Sequence, residues 1–142
     1  MELPEGFEPH FRKSDFTAPW EPIFSKRNER NIQLGIFAAA PHTNSRGFVH
    51  GGLIAALADN AMGLSCVAAS SDISSLVTVN LGTDFLSSAR IGQWVLFDTE
   101  VIKIGRTLCF ASCLVTADGK PVARTNATFS VMGAKDTQRS AA

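Results

Sequence analysis

A continuous apolar segment constrains this chain more than any other feature of its sequence. From Gly51 to Ala69 there are 19 residues, and Asp59 is the single charged residue among them. Apolar residues recur in this segment at three- and four-residue spacing, which is the period of an α-helix; they are Leu53, Ile54, Leu57, Ala61, Leu64, Val67 and Ala68. The sequence therefore predicts a helix of about five turns, most of whose surface must be covered by other parts of the chain.

Asp59 is unusual in such a helix, because a carboxylate is costly to bury unless another group pairs with it. One interpretation is a membrane-spanning helix, since about 20 apolar residues suffice to cross a bilayer. Against it, a charge at mid-span costs roughly 2.5–3.5 kcal/mol, and the rest of the chain has the composition of a soluble domain. The other two interpretations are a buried helix whose Asp59 is merely hydrogen-bonded, and a catalytic carboxylate that faces a cleft.

A short run leads into this helix: Asn44-Ser45-Arg46-Gly47-Phe48-Val49-His50-Gly51-Gly52. The glycine pair leaves the amides of the first helical turn unshielded by side chains, and free amides together with the helix dipole favour negative charge there. Gly51 and Gly52 are therefore candidates for stabilising the charge that develops on a reacting carbonyl oxygen. Asp59 is the candidate base or nucleophile.

The remaining chain alternates apolar and polar residues, as β-strands do. Strands are predicted at 31–39, at 77–85, at 93–104, at 108–114 and at 120–132, with a hairpin at Asp118-Gly119. In the strand after the helix, alternation predicts that Val77, Val79, Leu81 and Phe85 face one way and Thr78, Asn80, Gly82 and Asp84 the other. Gly82 within that strand predicts a bulge or the close approach of another backbone.

The order is thus one strand, one long helix and then four consecutive antiparallel strands. A single apolar helix can be buried only if the sheet curls around it, which predicts an α+β domain of about five strands wrapped on a central helix. The expected domain covers residues 1–142, with an irregular segment at 1–19 and a disordered tail at 133–142. Residues 20–24 are interpreted as a surface segment pinned by Trp20, the alternatives being a short strand or a flap over a cleft.

The composition of the chain argues against several classes of function. Thirteen basic residues balance thirteen acidic ones, which gives no net charge with which to attract nucleic acid or an anionic membrane. A charged content of 18% with 45% hydrophobic residues favours surface hidden in an oligomer. The first 16 residues lack an apolar signal-peptide core, so a cytoplasmic protein is expected. The three cysteines (66, 109 and 113) form no metal-binding pair and the three histidines are scattered, so no metal site is expected and the cysteines are interpreted as buried hydrophobes.

The pattern Asn44-x5-His50-Gly51-Gly52-x6-Asp59 resembles the signature of the hotdog-fold acyl-CoA thioesterases, in particular the phenylacetate-pathway (PaaI-like) branch. The resemblance extends through the strand pattern to cover roughly residues 20–132. It implies the hotdog fold, hydrolysis of an acyl-CoA without a cofactor, and a carbonyl-polarising role for the amide of Gly51. It also implies that Ser87 faces the reaction centre, although Ser88 follows it here where many relatives have proline.

The length of the helix limits which of these residues can act on the same carbonyl group. Nine residues separate His50 from Asp59, which is roughly 13 Å along a helix axis, so Asp59 cannot reach a carbonyl held at the start of its own helix. A second subunit must supply the partner residue across a two-fold axis, and the resembled family likewise takes its acid from the opposite subunit. A homodimer is therefore expected, with pairing of dimers into a tetramer.

Two other residues of the pattern have alternative interpretations. Asn44 is a candidate for positioning the attacking water or the thioester, and the alternative is an ordinary turn residue. His50 is a candidate for proton transfer, but a histidine at a helix entry more often orients the loop by hydrogen bonds.

Cations are needed for the phosphates of coenzyme A, and Arg90 and the Gly105-Arg106 connection, with Lys103 nearby, are candidates. The alternative is a solvated turn charge. Two other functions remain open: a non-catalytic acyl-CoA-binding module, and a hotdog dehydratase or hydratase. The first is disfavoured because the residues before His50 show no DNA-binding extension, and the second because His50 precedes the helix. Aromatic and medium-chain aliphatic acyl groups remain equally open, with Phe85, Phe24, Trp20 and Met62 as candidate pocket residues.

Overall fold

The structure, a computed structural model, describes residues 2–135. In chain order its elements are β1 (Glu8–Pro9), a 3-10 turn (Ala18–Trp20), β2 (Phe24–Arg27), β3 (Ile32–Phe37), a second 3-10 turn (Ala40–His42), α1 (Gly51–Ala69), β4 (Ile73–Phe85), β5 (Trp94–Ile104), β6 (Leu108–Ala117) and β7 (Lys120–Ala134). The seven strands of the described residues form one antiparallel sheet in the order β1-β2-β3-β5-β6-β7-β4. This confirms the predicted helix wrapped by a curled antiparallel sheet.

α1 lies at the centre of the hydrophobic core, as its periodicity predicts. Leu57, Ala58, Ala61, Met62 and Cys66 on this helix are completely buried. The helix is long and apolar enough to cross a membrane by length and composition alone. Here its apolar residues pack on the inner face of the sheet instead.

The long hairpins also follow the alternation in the sequence. The inward residues of β5, including Val95, Phe97 and Thr99, are buried against the helix. Asp118 and Gly119 have φ angles of +47° and +85°, so both central residues of the β6–β7 turn are left-handed, as a two-residue hairpin requires. All three cysteines are free and buried, which confirms their interpretation as core hydrophobes.

Two strands were missed by the sequence prediction, so the sheet has seven strands rather than about five. β1 and β2 have two and four residues, too short for an alternating pattern to be read. Tertiary contacts hold them in place: the Phe7 and Trp94 rings meet edge-to-face at 5.0 Å, and the His10 amide donates to the Ile23 carbonyl at 2.8 Å. Within the segment predicted at 1–19, the described residues therefore include β1 and the beginning of the turn at Ala18–Trp20.

The predicted boundaries shift at both ends of the domain. Trp20 ends the 3-10 turn and packs against the core, which agrees with the interpretation of a segment pinned by Trp20, and Phe24 is already the first residue of β2. β7 continues to Ala134, which places the first two residues of the predicted tail in a strand. Lys135 follows the strand, and residues 136–142 of that tail lie outside the described residues.

The predicted facing of β4 is wrong. Its pairing with β7 shifts register between Thr78 and Asn80, and this bulge exchanges the two faces of the strand. As a result Thr78 and Phe85 both face α1, although strict alternation puts them on opposite sides. The predicted bulge therefore occurs about three residues before Gly82, beside which a Cβ would meet nothing within 4 Å.

Candidate active site

Asp59 and Thr78 form a close polar pair on facing elements. The Thr78 hydroxyl donates a 2.7 Å hydrogen bond to Oδ1 of Asp59, which is half-buried on α1. Both side chains line a cavity of about 350 Å³ between α1, the beginning of β4 and the N-terminal segment. Thr78 was not among the predicted site residues, because alternation without the bulge turns it away from the helix.

The start of α1 distinguishes the two candidate glycine amides. The Gly52 amide donates to Nδ1 of His50 at 2.8 Å, so it is already satisfied. The Gly51 amide has no acceptor among residues 2–135, which makes it the available donor. A Cβ on Gly51 would lie 3.0 Å from the Phe85 ring, so a larger residue at this position would require that ring to shift.

His50 is the N-cap residue of α1. Because Nδ1 accepts a hydrogen bond from Gly52, the neutral ring carries its proton on Nε2. The backbone amide of His50 donates to the His42 carbonyl at 2.9 Å. These contacts support the interpretation of His50 as a residue that orients the helix entry.

His42 was not predicted, yet it joins the elements around the helix N-terminus. Its buried ring accepts from the Ala39 amide through Nδ1 at 2.9 Å and donates from Nε2 to the Trp20 carbonyl at 2.9 Å. With His50 and Gly52 it lines a second cavity of about 430 Å³, whose wall includes the edge-to-face pair Phe16 and Trp20. No sequence pattern marks His42, because one of its two partners, Trp20, comes from a distant turn.

Asn44 shapes the loop that leads into the helix. Its side-chain oxygen accepts from the amides of Arg46 at 2.9 Å and Phe48 at 3.2 Å, which is an Asx turn. The side-chain nitrogen has no acceptor within the described part of the chain. The turn interpretation of Asn44 therefore holds for its oxygen, and its NH₂ group remains free for a ligand.

The candidate phosphate-binding residues fall into two groups. The guanidinium groups of Arg46 and Arg90 lie 5.8 and 5.5 Å from the centre of the Phe48 ring, next to the helix entry. Arg46 was not a predicted site residue.

The hydroxyl of Ser87, three residues before Arg90, donates to the Pro121 carbonyl at 2.9 Å.

Gly105 and Arg106 lie elsewhere. The 11 residues of β5 separate them from Arg90, which is roughly 35 Å at the rise of an extended strand. A Cβ on Gly105 would lie 2.6 Å from the Leu108 carbonyl oxygen, so this glycine is required by the tight β5–β6 turn. Within one chain Arg90 and Arg106 therefore cannot hold the same phosphate group.

The predicted site is likewise divided within one chain. Asp59 and Thr78 line the first cavity, whereas His50 and Gly52 line the second. Eight residues of helix between Gly51 and Asp59 correspond to about 12 Å. One chain thus presents a hydrogen-bond donor at one end of α1 and a carboxylate further along it.

The cysteines contribute no nucleophile to either cavity. Burial raises the pKa of the Cys66 and Cys113 thiols to about 12, and burial also raises the pKa of Cys109. The thiolate is the reactive form, so these groups stay protonated and inert near neutral pH. Among residues 2–135, no three His, Cys, Asp or Glu side chains cluster as metal ligands would.

Comparison with known proteins identifies the family to which this chain belongs. Residues 46–123 match the family model of the thioesterase superfamily. A Pseudomonas aeruginosa protein named as an esterase is 33% identical over 130 residues, which is 91% of this chain and 97% of the relative. Human acyl-coenzyme A thioesterase 13 is 37% identical over 87 residues, 58% of this chain and 60% of the human protein.

Solved structures share the fold. A Streptococcus mutans protein, solved bound to acetyl-CoA, superposes with a TM-score of 0.70 at 26% identity, covering 75% of this chain and 85% of the other. A mutant of the phenylacetic acid degradation protein PaaI from Thermus thermophilus superposes with a TM-score of 0.68 at 20% identity, covering 78% and 93%. The fold predicted from the sequence is confirmed, and the chain belongs to the thioesterase superfamily.

Proposed function

We propose that this chain is an acyl-CoA thioesterase that hydrolyses a small or medium acyl-CoA, aromatic acyl groups included, to the free acid and coenzyme A. The observation that carries the proposal is the Asp59–Thr78 pair beside a cavity. The free amide of Gly51 and the names of the relatives support the same chemistry.

The reaction needs one base and one oxyanion donor. Asp59 removes a proton from a water molecule, whose oxygen attacks the thioester carbonyl carbon. The carbonyl oxygen becomes negatively charged and is stabilised by the N–H of Gly51 at the positive end of the helix dipole. The C–S bond then breaks, and the leaving thiolate of coenzyme A takes the proton from Asp59. In the alternative nucleophilic route the carboxylate itself attacks, and water hydrolyses the resulting anhydride.

Both groups reach one carbonyl only in a dimer, in which Asp59 of the partner subunit faces Gly51. β4 lies at the edge of the sheet with a row of free backbone groups. Antiparallel pairing of two β4 strands about Leu81 and Gly82 would bring Thr78 of the partner subunit near Phe85, which contacts Gly51. The open space beside Gly82 supports such an approach.

The same dimer would bring Arg106 of one subunit close to Arg46 and Arg90 of the other. The β5–β6 turn lies beside the beginning of β4, since Leu108 and Val77 both pair with Ser130. Arg106 of the partner subunit would therefore join Arg46 and Arg90 at the phosphates of coenzyme A. Exposed apolar residues on the outer sheet face, such as Phe110 and Leu114, support the pairing of two dimers.

The first test is release of free thiol from a panel of acyl-CoAs by the wild type, Asp59→Asn and the matched control Asp72→Asn, which removes an exposed carboxylate outside both cavities. We expect Asp59→Asn to lower kcat about 10²–10⁴-fold with the oligomer intact by light scattering, and Asp72→Asn to match the wild type. Binding without turnover in the wild type would instead establish a non-catalytic acyl-CoA-binding module. Turnover of enoyl-CoA by hydration, without thiol release, would establish the hydratase.

Single turnover in ¹⁸O-water separates the two routes. If Asp59 is a base, the label enters the product acid directly. If Asp59 is the nucleophile and water attacks the Asp59 carbonyl carbon of the anhydride, the label enters the Asp59 carboxylate, where peptide mass spectrometry would detect it, and the product acid stays unlabelled.

A further inference from the structure

The N-terminal segment forms one wall of the Asp59 cavity. His10, Arg12, Lys13, Ser14 and Thr17 line it opposite the helix. These residues precede the part of the chain that matches the family model, 46–123. The wall is fixed in place by the pairing of β1 with β2 and by the hydrogen bond from the His10 amide to the Ile23 carbonyl.

His10 is the buried polar group of this wall that lacks a protein partner. The residue is 6% exposed, and neither ring nitrogen has a hydrogen-bonding partner within residues 2–135. Nδ1 is closed to solvent whereas Nε2 is not, so Nε2 is the nitrogen that a ligand in the cavity can meet. Burial lowers the pKa of His10, and this effect outweighs the raising effect of the Glu21 carboxylate. The positive charges of Lys13 and Arg12 lower the pKa further. The ring is therefore neutral at pH 7.

Three neighbouring polar groups of the wall are already satisfied. Ser14 and Thr17 share a 3.0 Å hydrogen bond between their hydroxyls. The Lys13 ammonium pairs with Glu21 at 3.2 Å. Arg12 is exposed at the rim with no carboxylate within 4.0 Å in the described part of the chain. An apolar acyl chain filling the cavity would therefore leave a buried imidazole nitrogen unpaired, which is costly.

We infer that His10 makes this enzyme select acyl groups that carry a hydrogen-bonding oxygen at the end far from the thioester. The inference rests on the proposed function, with the thioester at Asp59 and the acyl chain extending towards the N-terminal wall. The oxygen belongs either to a hydroxyl, which pairs with His10, or to a carboxylate, which pairs with His10 and the unpaired Arg12. A cavity of about 350 Å³ accommodates a short chain of either kind.

The test compares three thioesters of equal carbon number: hexanoyl-CoA, 6-hydroxyhexanoyl-CoA and adipoyl-CoA. We expect the wild type to favour at least one oxygen-bearing substrate over hexanoyl-CoA by roughly tenfold in kcat/KM, since one unpaired buried group costs about this much. His10→Leu should abolish the preference and His10→Asn should restore most of it. Because the preference is a ratio within one protein, a partly unfolded variant does not distort it.

Variants of charged residues show whether the preferred oxygen belongs to a carboxylate or to a hydroxyl group. Arg12→Gln should lower the kcat/KM of adipoyl-CoA alone if the carboxylate is the preferred group, and should leave the ratio of 6-hydroxyhexanoyl-CoA to hexanoyl-CoA unchanged. Arg30→Gln, which removes an exposed charge outside the cavity, is the matched control and should change neither ratio.

Equal kcat/KM values for all three thioesters in the wild type, or a preference that survives in His10→Leu, would overturn the inference while leaving the thioesterase intact. Absence of turnover with every thioester would instead contradict the proposed function. In that case the affinities of the same three thioesters for wild type and His10→Leu decide: a preference lost in the variant supports the role of His10, and equal affinities overturn it.

Discussion

At the scale of single residues, Thr78 fixes the orientation of the Asp59 carboxylate. Its hydroxyl occupies Oδ1 at 2.7 Å and leaves Oδ2 as the oxygen that can meet a water molecule. In the proposed reaction, such positioning would act on the chemical step more than on substrate binding, because a carboxylate held in one rotamer needs no reorganisation when the water attacks.

The substitution Thr78→Val removes the hydroxyl at nearly constant volume. We expect kcat to fall about tenfold or more with a small change in KM, since a misoriented base loses part of its contribution. Thr78→Ser retains the hydroxyl and should keep most of the activity. Steady-state kinetics with one acyl-CoA checks both variants, and equal kcat values for Val and Ser would assign Thr78 a packing role only.

Residue types and spacing identified some residues of the candidate site but not others. Asp59 and Gly51 are conspicuous in the sequence, one as a lone charge and one as the start of an apolar helix. Thr78 and His42 are ordinary polar residues whose partners, Asp59 and Trp20, come from distant positions. Only the folded chain shows these partners. Gly52 illustrates the converse: the sequence gives it the same free amide as Gly51, but the His50 ring satisfies it.

At the scale of elements, α1 was predicted with the observed bounds because its apolar period runs unbroken between a glycine pair and a serine pair. β4 was predicted as a strand, but its faces were assigned wrongly. A bulge adds one residue without altering the composition of a strand, so alternation alone cannot locate it. β1 and β2 escaped prediction because contacts with Trp94 and Ile23, rather than local pattern, hold them.

The proposed dimer forms along the edge of β4, so a charge placed there should separate the subunits. Gly82→Arg places a charged side chain where the proposed dimer brings two strands together, and the two-fold axis would set two such charges side by side. We expect a monomer by light scattering and loss of most thioesterase activity, although Asp59 and Gly51 are unchanged.

Glu29→Arg is the matched control, because this exposed position lies in the β2–β3 turn near the other edge of the sheet. It should keep the oligomer and the activity. A fully active monomer of the Gly82→Arg variant would show that the site is complete within one chain.

At the scale of the whole molecule, the core between α1 and the sheet buries three thiols, and this makes stability depend on pH. In the unfolded chain these thiols ionise near their ordinary pKa of 9.0, whereas burial holds the pKa of Cys66 and Cys113 at about 12. Above pH 9 the native state therefore retains protons that the unfolded state has lost. The stabilisation is complete below pH 9 and is lost progressively as the pH rises towards 12.

We expect the free energy of unfolding, measured by urea denaturation, to fall between pH 9 and 10.5 by up to about 1.4 kcal/mol per pH unit for each buried thiol. The chain contains no tyrosine, whose titration would overlap this range, and lysine titration is common to all variants. Cys113→Ala leaves a small cavity and is expected to be less stable at every pH, but its decline with pH should be shallower. Parallel declines in Cys113→Ala and wild type would show that this thiol ionises as readily in the folded protein as in the unfolded chain.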